Sequence, residues 1–102
     1  MANITSARLA ATRRILEGDG QASREDRKAA FANEGVPEAA RALIDKVCRR
    51  AAQIDDADIA AAKAAGLTDD QIFELVVSAA MGVSTRQYDS AFAALEQATE
   101  GK

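Results

Sequence analysis

Apolar residues recur along this chain at intervals of three and four, with short polar clusters between them. That periodicity predicts helices throughout. The first covers residues 4–17, where Ile4, Ala7, Ala11 and Ile15 share a face that Leu9 and Leu16 widen. Gly18 and Gly20, in "GDGQAS", end it. Ser23 is a good N-cap for a second helix, and Asp26, three residues on, suits the positive end of its dipole. That helix runs to about Asn33, with Gly35 as its stop. Pro37 opens a third at its first position, where a missing N–H costs nothing. Its stripe is Ala40, Leu43, Ile44, Val47, Cys48 and Ala51, with Lys46, Arg49 and Arg50 mostly off it. A short alanine-rich fourth helix spans roughly 56–65, capped by Asp55 or Asp56 and closed by Gly66 in a left-handed conformation. Thr68 and Gln71 form a capping box for a fifth, over 69–81, and Leu67 is placed to staple onto Ile72 or Phe73. This fifth helix is apolar nearly all round (Ile72, Phe73, Leu75, Val76, Val77, Ala79, Ala80, Met81), which predicts the centre of a bundle. Gly82 then predicts a break, and Ser84 the start of a sixth helix to about Ala98, with the stripe Tyr88, Ala91, Phe92 and Leu95. "TEGK" reads as a frayed tail.

Composition sharpens this picture. No window alternates as a strand would, one proline is present, and 25 of the 49 hydrophobic residues are alanine. Alanine favours helix and buries little area. A single all-α domain over residues 1–102, a compact bundle of about six helices, is therefore expected to have a thin core. Close helix packing and completion by a second copy of the chain are the two remedies.

Charge and missing residue types narrow the chemistry. The net charge of −3 and pI near 4.9 argue against nucleic acid as a partner. The absence of histidine removes imidazole bases and most transition-metal sites. No cofactor or metal is indicated: "DDADIAAA" lacks the glycine and terminal glutamate of a calcium loop. The single cysteine, Cys48, cannot form an internal disulfide, which suggests a reducing, cytoplasmic setting. Neither a signal peptide nor a run of ~20 apolar residues is seen, so no membrane partner is expected.

Four residues are candidates for a site. Glu74 sits inside the most apolar helix. An acid among apolar neighbours favours its protonated form and suits acid–base work; the plainer reading places it on an exposed strip or beside an arginine. Arg86 could pair with Glu74 or hold an anionic ligand, and Tyr88 lies two residues on. Cys48 lies on an apolar stripe with no second cysteine or histidine to activate it, so it reads as a small hydrophobe. Residues 69–98 also superficially match a helix-turn-helix, with Ser78, Gly82 and Val83 about the turn and Tyr88 inward. Its second helix would offer only Arg86 as a positive charge, where phosphate contacts need several.

Three segments carry a family resemblance: "DKV" at 45–47, "DDADIAAAKAAGL" at 55–67 and "TDDQIFELVVSAA" at 68–80. Together they resemble the C-terminal part of AhpD-like and carboxymuconolactone decarboxylase-like proteins, with Ile72 and Glu74 in the family's I-x-E pattern. "ILEGDGQASREDRKAAF" is similar to the preceding segment of some members. The resemblance implies a helical bundle that assembles into oligomers. Active peroxidase members carry a C-x-x-C pair with a histidine and a glutamate, and decarboxylase members a histidine-containing site. One cysteine and no histidine depart from both patterns. The reading that follows is a member without redox chemistry, a homo-oligomer that binds a small molecule or a protein through Glu74, Arg86 and Tyr88. A one-cysteine thiol peroxidase acting through Cys48 is the enzymatic alternative, and the helix-turn-helix DNA binder a second.

Overall fold

The computed structural model describes residues 2–100, with side chains from Ser6 onward. Five α-helices follow one another: α1 (Ala2–Glu17), α2 (Arg24–Ala32), α3 (Glu38–Arg50), α4 (Asp56–Ala64) and α5 (Asp69–Glu100). A single 3-10 turn, Ala51–Gln53, links α3 to α4, and no strand occurs among the described residues.

Local signals set most of these boundaries. Ser23 Oγ accepts the Asp26 N–H at the start of α2. At its end Asn33 already takes the left-handed conformation, with φ 52°, and Gly35 follows at φ 71°. Pro37 is the N-cap of α3 rather than its first residue. Asp55 caps α4 in a reciprocal box with Asp58. Gly66 adopts φ 109° after α4, and the Leu67 N–H returns to the Ala62 carbonyl, the hydrogen-bond closure of a Schellman end. Thr68 and Gln71 each accept the other's backbone N–H, as a capping box requires.

The expected break at Gly82 does not occur. Residues 69–81 and 84–98 belong to one helix of 32 residues, so there are five helices, not six, and Ser84 is not a cap. Glycine inside a helix costs only about 1 kcal/mol, which tertiary contacts offset here. Gly82 is buried where α5 crosses α2. A Cβ built on it would lie 2.8 Å from the Phe31 carbonyl carbon and closer still to the carbonyl oxygen. The glycine is there for close approach, not for a turn.

α5 is the axle of the fold. Its contacts are most extensive with α2, then α3, and α1 and α4 also touch it. The core is Val36, Leu43, Ile44, Val47, Ile72 and Leu75, filled in by Ala22, Ala30, Ala40, Ala62 and Ala79. Leu67 and Cys48 pack on its edge. Phe73 departs from the expected all-round burial: it is 69% exposed. α1 runs antiparallel to α5, since Arg8 lies over the Tyr88 ring while Ile15 lines a cleft with Val77. Between Ser6 and Glu17, α1 has no fully buried residue. At the far end every residue of α5 from 89 to 100 is exposed. This projecting half-helix stretches the molecule to 55 × 29 × 21 Å, with a radius of gyration of 15.5 Å, against about 13 Å for a compact domain of this length.

Candidate functional site

Glu74 faces the loop between α1 and α2. Its carboxylate accepts two backbone N–H groups, Gln21 to Oε2 and Ala22 to Oε1, each at 2.9 Å. Gly20 lets the acid come this close, because a Cβ there would lie 2.5 Å from Oε1. Arginines tie this loop and the end of α1 to α2. Arg27 is only 4% exposed. It donates from Nη1 to the Ile15 carbonyl at 2.8 Å and from Nε to the Ala22 carbonyl at 3.2 Å. Arg24 Nε donates to the Glu17 carbonyl at 2.8 Å. Ile15 and Glu17 end α1, where carbonyls lack intrahelical partners and the dipole is negative, so guanidinium groups belong there. Arg27 has no carboxylate within ion-pair distance among the described residues; its charge is met by carbonyl oxygens instead.

A cleft of about 190 Å³ opens beside this knot, lined by Arg14, Ile15, Asp19, Arg27, Phe73, Glu74 and Val77. Glu74 is therefore neither on an exposed strip nor paired with an arginine. It anchors the loop with both oxygens. We expect Glu74→Ala to destabilise the fold by about 1–2 kcal/mol, the scale of two charge-assisted bonds to partly wetted N–H groups. Denaturant titration measures the loss, and amide exchange should accelerate first at Gln21 and Ala22.

Arg86 lies 12 residues further along α5, about 18 Å at 1.5 Å per residue. Its Nη1 donates to the Phe31 carbonyl at 2.7 Å, beside Gly82, at the end of α2. This ties the C-terminal carbonyl of one helix to the flank of another. Cys48 is near this guanidinium. Burial pushes its thiol above the ordinary value, and the Arg86 charge acts in the opposite direction without overcoming it. A thiol so held is mostly protonated at neutral pH, which disfavours nucleophilic chemistry.

Tyr88 is engaged elsewhere again. Arg8 of α1 sits 3.7 Å above its ring centroid, and Phe92 stacks on it at 6.1 Å with planes 13° apart. The three ligand candidates thus meet three different neighbours: Glu74 the α1–α2 loop, Arg86 the end of α2, and Tyr88 the flank of α1. They do not converge.

Two further features shape the surface. Lys46 Nζ sits 2.9 Å from both oxygens of Asp58, linking α3 to α4, and Lys46 leads the causes that hold the Asp58 carboxyl below its ordinary range. Asp45 accepts from Asn33 and Arg49 and is lowered too, with the Asn33 bond as the first cause. Among the described residues no group of three His, Cys, Asp or Glu side chains is placed to hold a metal ion. No described helix is long and apolar enough to cross a membrane. The helix-turn-helix arrangement is not formed, because residues 69–98 contain no turn.

Fold and surface define an all-α protein built round one long helix, with a pinned loop at one end and a bare half-helix at the other. Comparison with protein-family models, with curated proteins and with solved structures finds no match.

Proposed function

We propose that this is a non-catalytic helical protein whose activity is association, first of all with further copies of itself. The observation that supports this reading is the projecting half of α5. Phe92 is 40% and Leu95 62% exposed, on a helix stretch, 89–100, whose residues are all exposed. Burying such side chains is worth about 1.5–3 kcal/mol each, and the thin alanine-rich core leaves the chain a reason to use it. The segments that resemble AhpD-like proteins support the same reading, since that resemblance implies a bundle completed by oligomerisation. Light scattering tests it: a mass of at least twice 10.7 kDa is expected, and a clean monomer at micromolar concentration would sink the idea.

The dispersed positions of Glu74, Arg86 and Tyr88 favour a protein surface over a small-molecule pocket as the binding element. The one-cysteine peroxidase reading makes a separate prediction. With the Cys48 thiol held protonated, wild type and Cys48→Ser should consume peroxide at the same background rate. A thiol-dependent turnover lost in the variant would restore the enzymatic reading.

A further inference from the structure

The exposed part of α5 has an internal order that points to one way of pairing. Met81, Thr85, Tyr88, Phe92, Leu95 and Thr99 follow one another at spacings of four and three. That is the alternation of a helix-packing seam. Within the chain, α1 meets this seam at Tyr88, where Arg8 lies over the ring. Beyond it Phe92, 40% exposed, and Leu95, 62% exposed, continue the same face. Along one edge of the uncovered stretch run Asp89, Glu96 and Glu100, at spacings of seven and four, so they share one side of the helix. After Arg86 no lysine or arginine occurs up to residue 100.

α1 is the complement. It carries Arg8, Arg13 and Arg14 against the single acid Glu17. Leu9 is 60% exposed, and Arg13, one turn on, has a side chain 75% exposed, with only Glu17 at 4.0 Å, the limit of an ion pair. Leu9 and Arg13 are exposed, on a flank of α1 turned away from its half-buried face of Arg8, Ala11, Thr12 and Ile15, and the acidic edge of α5 is exposed too. Two α5 stripes set against each other would oppose acid to acid. An α5 stripe set against another α1 opposes acid to arginine and apolar to apolar.

We infer that two copies of this chain pair about a two-fold axis, the Leu9–Arg13 flank of α1 in each covering Phe92, Leu95 and the Asp89–Glu96 edge of α5 in the other. Such an interface is self-complementary, as a two-fold requires, and completes a four-helix layer of the kind helical bundles use. The inference rests on the self-association proposed above and specifies its surface.

The test is sedimentation equilibrium on the full chain and four variants, with helix content by circular dichroism as the control for folding. Leu95→Glu should abolish association, because it puts a charge at the centre of the seam. Arg13→Glu and Glu96→Arg should each weaken it about tenfold, since exposed pairs are individually weak but every change is felt twice across a two-fold. Arg13→Glu combined with Glu96→Arg should recover most of the affinity. Wild-type association should weaken with added salt. A wild-type oligomer that ignores all four changes would overturn this interface and leave self-association standing. A double variant no better than the single ones would overturn the α1–α5 charge pairing. A monomeric wild type would overturn both readings together and leave the stripe to a different protein.

Discussion

Gly82→Ala is expected to destabilise this protein by about 1–3 kcal/mol, although alanine is the better helix former. The added methyl meets the Phe31 backbone, which cannot rotate away as a side chain would. Overpacking of this kind costs about 1–3 kcal/mol. Displacing α2 also strains the Arg86 bond to the Phe31 carbonyl, worth about 1 kcal/mol. Against these stands a propensity gain of about 1 kcal/mol. For a domain of this size each kcal/mol of net loss corresponds to a fall of roughly 4–8 °C in Tm. Ala80→Gly, two residues earlier at an exposed position, supplies the contrast: it should cost only the propensity term. A Gly82→Ala variant as stable as wild type, or more so, would mean that α2 and α5 do not approach as described.

Ile44→Ala carries the second large effect, about 3–4 kcal/mol, within the range of about 2–5 kcal/mol for removing a fully buried large side chain. Ile44 is 0% exposed on α3 and belongs to the core cluster that includes Ile72, Leu75 and Ala79 of α5. The loss weighs heavily here because five of the eleven buried hydrophobic residues are alanine, and alanines have no spare volume to relax into a cavity. Against a total stability of about 5–15 kcal/mol, this one change removes a large share. Urea denaturation measures it: the midpoint should fall with the slope unchanged. A loss below about 1 kcal/mol would show that the site collapses freely and that the core is less tightly packed than its burial indicates.

The elements whose signals are local were legible in the sequence. Ser23, Asp55 and the Thr68–Gln71 box cap the helices they were expected to cap, because a cap is decided within four residues. Gly82 was misread for the complementary reason. Its local cost is small, and what it permits, the approach of Phe31, is contact with a residue 51 positions earlier. Phe73 was expected inside because its neighbours are apolar; α1 and the loop leave it uncovered. Glu74 stands out in the sequence as an acid in an apolar run, but its partners, the Gln21 and Ala22 amides, could not be read from its own surroundings. Arg27 was missed altogether. A signal for it existed: Arg27, Ala30 and Phe31 fall at i, i+3 and i+4, which puts a charge on the inward face of α2, and a charge there needs acceptors.

α1 has a different standing from the other helices. Its side chains, from Ser6 on, reach full burial nowhere, and it is fastened chiefly by Arg27, by the hinge that Glu74 holds, and by Arg8 on Tyr88. Its detachment therefore breaks few apolar contacts and leaves α2 to α5 closed round their own core. Such a segment opens as a separate cooperative unit, at a free energy below that of global unfolding. Each opening bares more of the α5 seam but takes the Leu9–Arg13 flank out of place, so pairing of two copies and docking of the strap should reinforce each other.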